Sequence, residues 1–130
     1  MNAYVSDTHT LFWHLTNSPR LGPQAAQALS DAANGAALVY VPVIVLAELY
    51  YLNQKQAVQL DFPAVLRRLQ RSRAYVLVPY LPDEVIDLDA NRAVPEMHDR
   101  IIAGVSRRLN APLLTRDPQI VRSGLVVTVW

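Results

Sequence analysis

Cysteine is absent from the sequence, lysine occurs once, and no apolar run is long enough to cross a bilayer. Without cysteine there is neither a disulfide framework nor a thiolate-ligated zinc or iron–sulfur site. A reducing cytosol suits such a chain, and a cytoplasmic location is expected. The longest apolar stretch, Ala36 to Tyr51, is broken by Pro42 and Glu48 and is too short to span a membrane. Met1 to Asp7 carries neither a basic region nor an apolar run ahead of a cleavage site, so no signal peptide is expected. Internal repeats, linkers and low-complexity segments are also missing.

What is present is a chain of 130 residues, 52% hydrophobic and 18% charged. That is enough for one core without staples, and a single domain over residues 1–130 is expected. The net charge is only +1, but the twelve basic residues are eleven Arg and the lone Lys55. Arginine makes planar, bidentate contacts with phosphate or carboxylate. Nucleotide bias in the source genome accounts for the excess equally well, and net charge alone names no partner.

Strand and helix signals alternate along the chain. Ala3 to Ser6 reads as a short buried strand ending at Asp7, followed by an apolar helix over Thr8 to Leu15. Thr16-Asn17-Ser18-Pro19 is a turn cluster. Gly22-Pro23 opens a helix to about Ala33, with Pro in its first turn. Ala37 to Val41 is a strand, and Pro42 opens an apolar helix to about Lys55. Asp61-Phe62-Pro63 opens another, ending near Arg73. Tyr75 to Pro79 is a third strand, and Pro82-Asp83-Glu84 starts a helix to about Arg92. A helix from His98 to Leu109, a strand from Leu113 to Thr115, a helical turn after Asp117-Pro118 and a strand from Leu125 to Trp130 complete the series. The strands are apolar throughout rather than alternating, as in a parallel sheet covered on both faces. A three-layer α/β/α domain with a mostly parallel sheet of about five strands follows.

Sites in such sheets lie beyond the carboxyl ends of the strands. Asp7 ends the first strand, Asp117 follows the fourth, Asp99 opens the helix before it, and Glu48 lies in the helix after the second. Asp7 and Asp117 are also suited to cap the helices they precede, and Asp99 to cap or to occupy a first turn. Glu48 has Ile44, Val45, Tyr51 and Leu52 one turn away. A carboxylate on so apolar a face needs a partner, either an arginine or a cation. Two carboxylates about 4 Å apart repel by about 4 kcal/mol at an effective dielectric of about 20. Four converging acids therefore call for a cation or shared protons, and an all-oxygen donor set suits Mg²⁺ or Mn²⁺. Such an ion suits hydrolysis of a phosphodiester.

The order Asp7, Glu48, Asp99, Asp117 on alternating elements resembles the PIN domain. Asp7-Thr8-His9-Thr10-Leu11-Phe12-Trp13 resembles the opening of a subgroup of VapC-type toxins. Val45-Leu46-Ala47-Glu48-Leu49 resembles the second acidic motif. His98-Asp99-Arg100-Ile101-Ile102-Ala103, then Ala111-Pro112-Leu113-Leu114-Thr115-Arg116-Asp117, resembles the family's Asp-Arg-Ile-Ile-Ala helix and the strand end after it. The resemblance implies an endoribonuclease toxin of a bacterial toxin–antitoxin pair, binding one or two Mg²⁺ or Mn²⁺ ions and hydrolysing RNA with a metal-activated water. It implies Asp7, Glu48 and Asp99 as principal metal-site acids, Asp117 as a fourth, and Thr115 as a supporting hydroxyl. A VapB-like antitoxin and a homodimer are the implied partners, with no membrane association.

The segment Val94-Pro95-Glu96-Met97-His98 departs from the family's usual lead into Asp-Arg, and Glu96 reads as a solvated loop residue or an auxiliary acid. His9, His14 and His98 lack metal-ligand spacing and read as structural or supporting. Arg100 and Arg116 flank two metal acids and are expected to bind substrate, Arg116 foremost. Arg67, Arg68, Arg71 and Arg73 form a basic cluster that reads as a solvated face or a phosphate track. Phe12, Trp13, Tyr50 and Tyr51 are expected in the core, or on a groove for a partner helix. Two rival functions remain. A non-catalytic PIN-like binding module would not need all four acids. A receiver-type signalling domain needs a Lys after a late strand, and Lys55 is in the wrong region.

Overall fold

The structure, a computed structural model, describes residues 1–130. Five strands form one parallel sheet: β1 (Asn2–Ser6), β2 (Ala37–Pro42), β3 (Tyr75–Val78), β4 (Leu113–Leu114) and β5 (Thr128–Val129). Their spatial order is β3-β2-β1-β4-β5. The chain steps outward from β1 to β2 and β3, then crosses back to lay β4 on the other side of β1. Right-handed crossovers put the two sets of connections on opposite faces, which gives the three layers. The reversal beside β1 also opens a crevice at the carboxyl ends of β1 and β4.

The connections are α1 (Thr8–Leu15), α2 (Pro23–Ala33), α3 (Val43–Gln54), α4 (Phe62–Arg71), α5 (Asp87–Ala90), α6 (Met97–Leu109) and α7 (Pro118–Ser123). Helix α2 buries Ala25, Ala28, Leu29 and Ala32, a stripe at helical spacing, against β2. Helix α6 buries every residue from Ile101 to Ser106, which places its amino end at the crevice. Val5, Val39, Val41, Leu113 and Leu114 from the strands join Leu11, Leu49, Ile102 and Ile120 in one core with no solvent exposure beyond 1%. No helix is long and apolar enough to cross a membrane.

Two expected elements are shorter than the sequence pattern suggests. The helix expected over Pro82 to Arg92 divides into a 3₁₀ segment, Pro82–Ile86, and the four-residue α5. Neither piece buries a residue, so no packing face holds them to one helical register. The strand expected over Leu125 to Trp130 pairs only at Thr128–Val129. Its sole neighbour, β4, is two residues long, because Pro112 precedes it and the chain turns after Thr115.

Candidate active site

Asp7 leaves β1 buried and becomes the N-cap of α1, its Oδ1 accepting from the Thr10 amide at 2.8 Å. The Thr10 hydroxyl donates to the Leu114 carbonyl at 2.8 Å, tying this helix start to β4. Asp117 caps α7 in the same way, its Oδ1 accepting from the amides of Gln119 and Ile120. The Asp117 amide itself donates to the hydroxyl of buried Thr115 at 3.1 Å. The capping expected of these two aspartates therefore holds, and each cap uses one carboxylate oxygen. Asp99 is not a cap. It is a first-turn acid of α6, with Glu96 as N-cap accepting from the Asp99 amide at 2.8 Å.

Glu48 is half-buried on α3 and accepts a 2.7 Å hydrogen bond from the Thr8 hydroxyl. The alternative partner, an arginine, is absent. The ion pairs of the chain are Arg92–Asp89, His98–Glu96 and Arg108–Asp87, so none engages Asp7, Glu48, Asp99 or Asp117. All four line one open cleft of about 810 Å³ together with Glu96. Its rim carries Arg20, Lys55, Arg116, His9 and His98.

Electrostatics report the convergence directly. The Asp99 carboxyl is pushed up to about 7, first by burial and then by the charges of Asp117, Glu96, Glu48 and Asp7. Burial also raises Asp7, against hydrogen bonding from Thr10 and Thr115. Burial raises Asp99 without favouring any ion, but the repulsion from its four neighbouring carboxylates is a negative field that attracts a cation. The donors are hard oxygens, a set that fits Mg²⁺ or Mn²⁺. No three acidic or imidazole groups already stand in coordinating geometry, so the fit rests on donor chemistry and field.

Three readings of the sequence need correction. Arg100 does not face the cleft. Its guanidinium donates to the carbonyls of Val94, Leu88 and Pro95, because α6 turns it toward the loop that precedes the helix. Glu96 is not a free loop acid but the α6 cap, and it holds the His98 Nδ1 at 2.5 Å. That hydrogen bond raises the His98 pKa. Of the aromatic residues expected in the core, Phe12 and Trp13 are buried, whereas Tyr50 and Tyr51 are 42% and 65% exposed. Arg116 is exposed at the rim, its guanidinium centred 4.5 Å over the Trp13 ring. Sequence reasoning missed Thr8, Arg20 and Lys55. Only Thr8 left a signal, as a hydroxyl next to the first acid.

Residues 4–124 match the PIN domain. No protein of curated function matches the chain by sequence. Among solved structures, VapBC2 from Rickettsia felis bound to a DNA fragment from their promoter superposes with a TM-score of 0.72 at 18% identity, over 97% of this chain and 96% of that one. FitAcB from Neisseria gonorrhoeae gives 0.66 at 17% identity over 96% and 95%, and PAE2754 from Pyrobaculum aerophilum 0.63 at 17% over 98% and 83%. These likenesses are of fold. With the profile match over nearly the whole chain and four acids at the sheet's switch point, they lead to one statement of kinship: the chain belongs to the PIN domain family, a family of nucleases acting on phosphodiester bonds.

Proposed function

We propose that the chain is a divalent-metal-dependent endoribonuclease and the toxin of a VapBC-type toxin–antitoxin pair, working in the cytoplasm as one unit over residues 1–130. The observation that carries the reading is the meeting of Asp7, Glu48, Asp99 and Asp117 in one cleft, where burial first and then the neighbouring carboxylates push Asp99 up to about 7. Asp7, Glu48, Asp99 and Asp117 would hold Mg²⁺ or Mn²⁺. When bound, the ion supplies a lowered pKa for water and neutralises charge on the phosphate.

The chain's own residues do the rest. Thr8 fixes the rotamer of Glu48 through its 2.7 Å hydrogen bond. Thr115 pins the backbone at Asp117. Asp7 is buried and Asp99 only partly so, and the lower dielectric around Asp7 strengthens its charge–charge interactions. Arg116 stands at the rim where substrate phosphate would pass. A VapB-like antitoxin is a proposed partner, supported by the VapBC and FitAB complexes among the structural neighbours, and a second copy of the chain is proposed on the family resemblance alone.

The test is cleavage of total cellular RNA by the purified chain with Mg²⁺ or Mn²⁺, then with EDTA, beside Asp7→Asn. Cleavage that needs the metal and is lost in Asp7→Asn supports the reading. Folded, antitoxin-free protein that cuts nothing with either ion overturns it in favour of a binding module.

A further inference from the structure

Side chains from three separate parts of the sequence meet beside the cleft: His9 and Trp13 on α1, Arg116 after β4, and Trp130 after β5. The Trp13 and Trp130 rings pack edge to face at 5.7 Å between centroids. The Arg116 guanidinium lies 4.5 Å from the Trp13 centroid and 5.8 Å from that of Trp130. The His9 ring lies 5.4 Å from that of Trp13, tilted by 49°. Gly22, the N-cap of α2, admits Trp130: a Cβ there would lie 2.6 Å from its ring atoms Cδ1 and Nε1. Gly22 has φ −66°, so glycine is required by this close approach and not by backbone conformation. The Thr115 amide donates to the Val129 carbonyl at 3.2 Å, so the strand end before Arg116 is paired with the one before Trp130.

We propose that Trp13 and Trp130 clamp the Arg116 guanidinium at the mouth of the acidic cleft as a preset anchor for a backbone phosphate of single-stranded RNA, with Trp130 as a positioning residue. The proposal rests on the endoribonuclease reading above. A polyanion approaching this cleft meets its acids, the imidazoles of His9 and His98, and Arg20, Lys55 and Arg116 as its permanent cations. Of the three, only Arg116 is held by aromatic rings. Packing on a ring engages the π face of the guanidinium and leaves its in-plane N–H donors free for two phosphate oxygens. No carboxylate pairs with it. A contact of this kind biases the side chain by roughly 2- to 5-fold, and a preset donor loses less freedom when it binds.

Trp13 and Trp130 are the only tryptophans, so fluorescence excited selectively at tryptophan, away from the six tyrosines, reads this clamp. The full chain carrying Asp99→Asn, titrated with a short single-stranded RNA of mixed sequence, should show a saturable change in tryptophan emission. Arg116→Ala should weaken binding about 5- to 10-fold and lower the slope of log K against log salt by about 0.7, one phosphate contact on a single strand. Arg116→Lys should keep the slope yet lose affinity several-fold, since an ammonium does not stack flat. Trp130→Ala should behave like Arg116→Lys, and Trp130→Phe should restore binding. In the cleaving wild type, the same changes should raise KM and spare kcat.

Arg116→Lys or a folded Trp130→Ala that binds like its parent overturns the clamp, as does Arg116→Ala with an unchanged salt slope. Arg116 is exposed, so its variants test the idea even where Trp130→Ala fails to fold. If wild type cleaves RNA while these variants keep its KM, the clamp alone fails. If Asp99→Asn protein binds no RNA and wild type cuts none, the reading beneath it fails too.

Discussion

Asp99 offers a measurement of the cleft's field that requires no substrate. Its carboxyl is held at about 7 in the folded chain, against 3.8 for a free aspartate. Below about pH 4 the group is protonated whether folded or unfolded, and it has no effect on stability. As pH rises to about 7 the unfolded chain has released the proton and the folded chain still holds it, so stability falls. Above about 7 both are ionised and the penalty is constant. At about 1.4 kcal/mol per pH unit the interval corresponds to about 4 kcal/mol. The group is half-exposed in an open cleft, so water and salt screen it, and about 1–2 kcal/mol should survive. Asp99→Asn removes that penalty and gives up a first-turn acid that stabilises α6 by about 0.5 kcal/mol. Metal-free Asp99→Asn should therefore be more stable than wild type by about 1 kcal/mol at pH 8.5, roughly 4 °C in Tm. The two should coincide near pH 4. Thermal melts in EDTA at both pH values check this, and added Mg²⁺ should raise Tm more in wild type than in the variant. An offset that is absent at pH 8.5, or equal at both pH values, would refute the claim that these carboxylates share one field.

Thr8→Val keeps the shape and removes the hydroxyl on Glu48. It should cost about 1 kcal/mol in denaturant melts and weaken Mg²⁺ binding about 10-fold or more by calorimetry, whereas unchanged Mg²⁺ affinity would remove Thr8 from the site. Gly22→Ala drives a methyl into Trp130 and should lower stability by about 1–3 kcal/mol, with an altered tryptophan spectrum. Asn110 closes α6 at φ 49°, a left-handed position. Asn110→Gly should gain about 0.5 kcal/mol, and a lowered Tm would show that the Asn side chain has a further role.

The first three strands and the helices beside them were legible because the period of their apolar residues and their proline and glycine boundaries agree. Helices α1 and α2 begin and end where Thr8, Leu15, Pro23 and Ala33 placed them. The late elements were less legible because their extent is set by neighbours. Strand β5 reaches only as far as β4 does, and the acidic stretch after Pro82 has no buried face to keep it one helix. At the site, the convergence of the four acids followed from topology alone. Which way a side chain turns did not. Arg100 and Arg116 each adjoin an acid in sequence, yet one is consumed by three carbonyls and the other lies on a tryptophan. Trp130 stands far along the chain from Trp13, and no local pattern announces their contact.

The double use of Asp7 and Asp117 bears on how such a chain evolves. In each, Oδ1 closes a helix and Oδ2 plays no part in that cap. Asparagine caps a helix as well as aspartate does, so exchanging one oxygen for an amide nitrogen leaves the scaffold whole while abolishing the charge. Fold and chemistry are thus separable at these positions by one nucleotide change. A gene for such a chain can lose the charge in one step and still encode an intact, folded protein. Selection for folding alone does not distinguish aspartate from asparagine at these two caps.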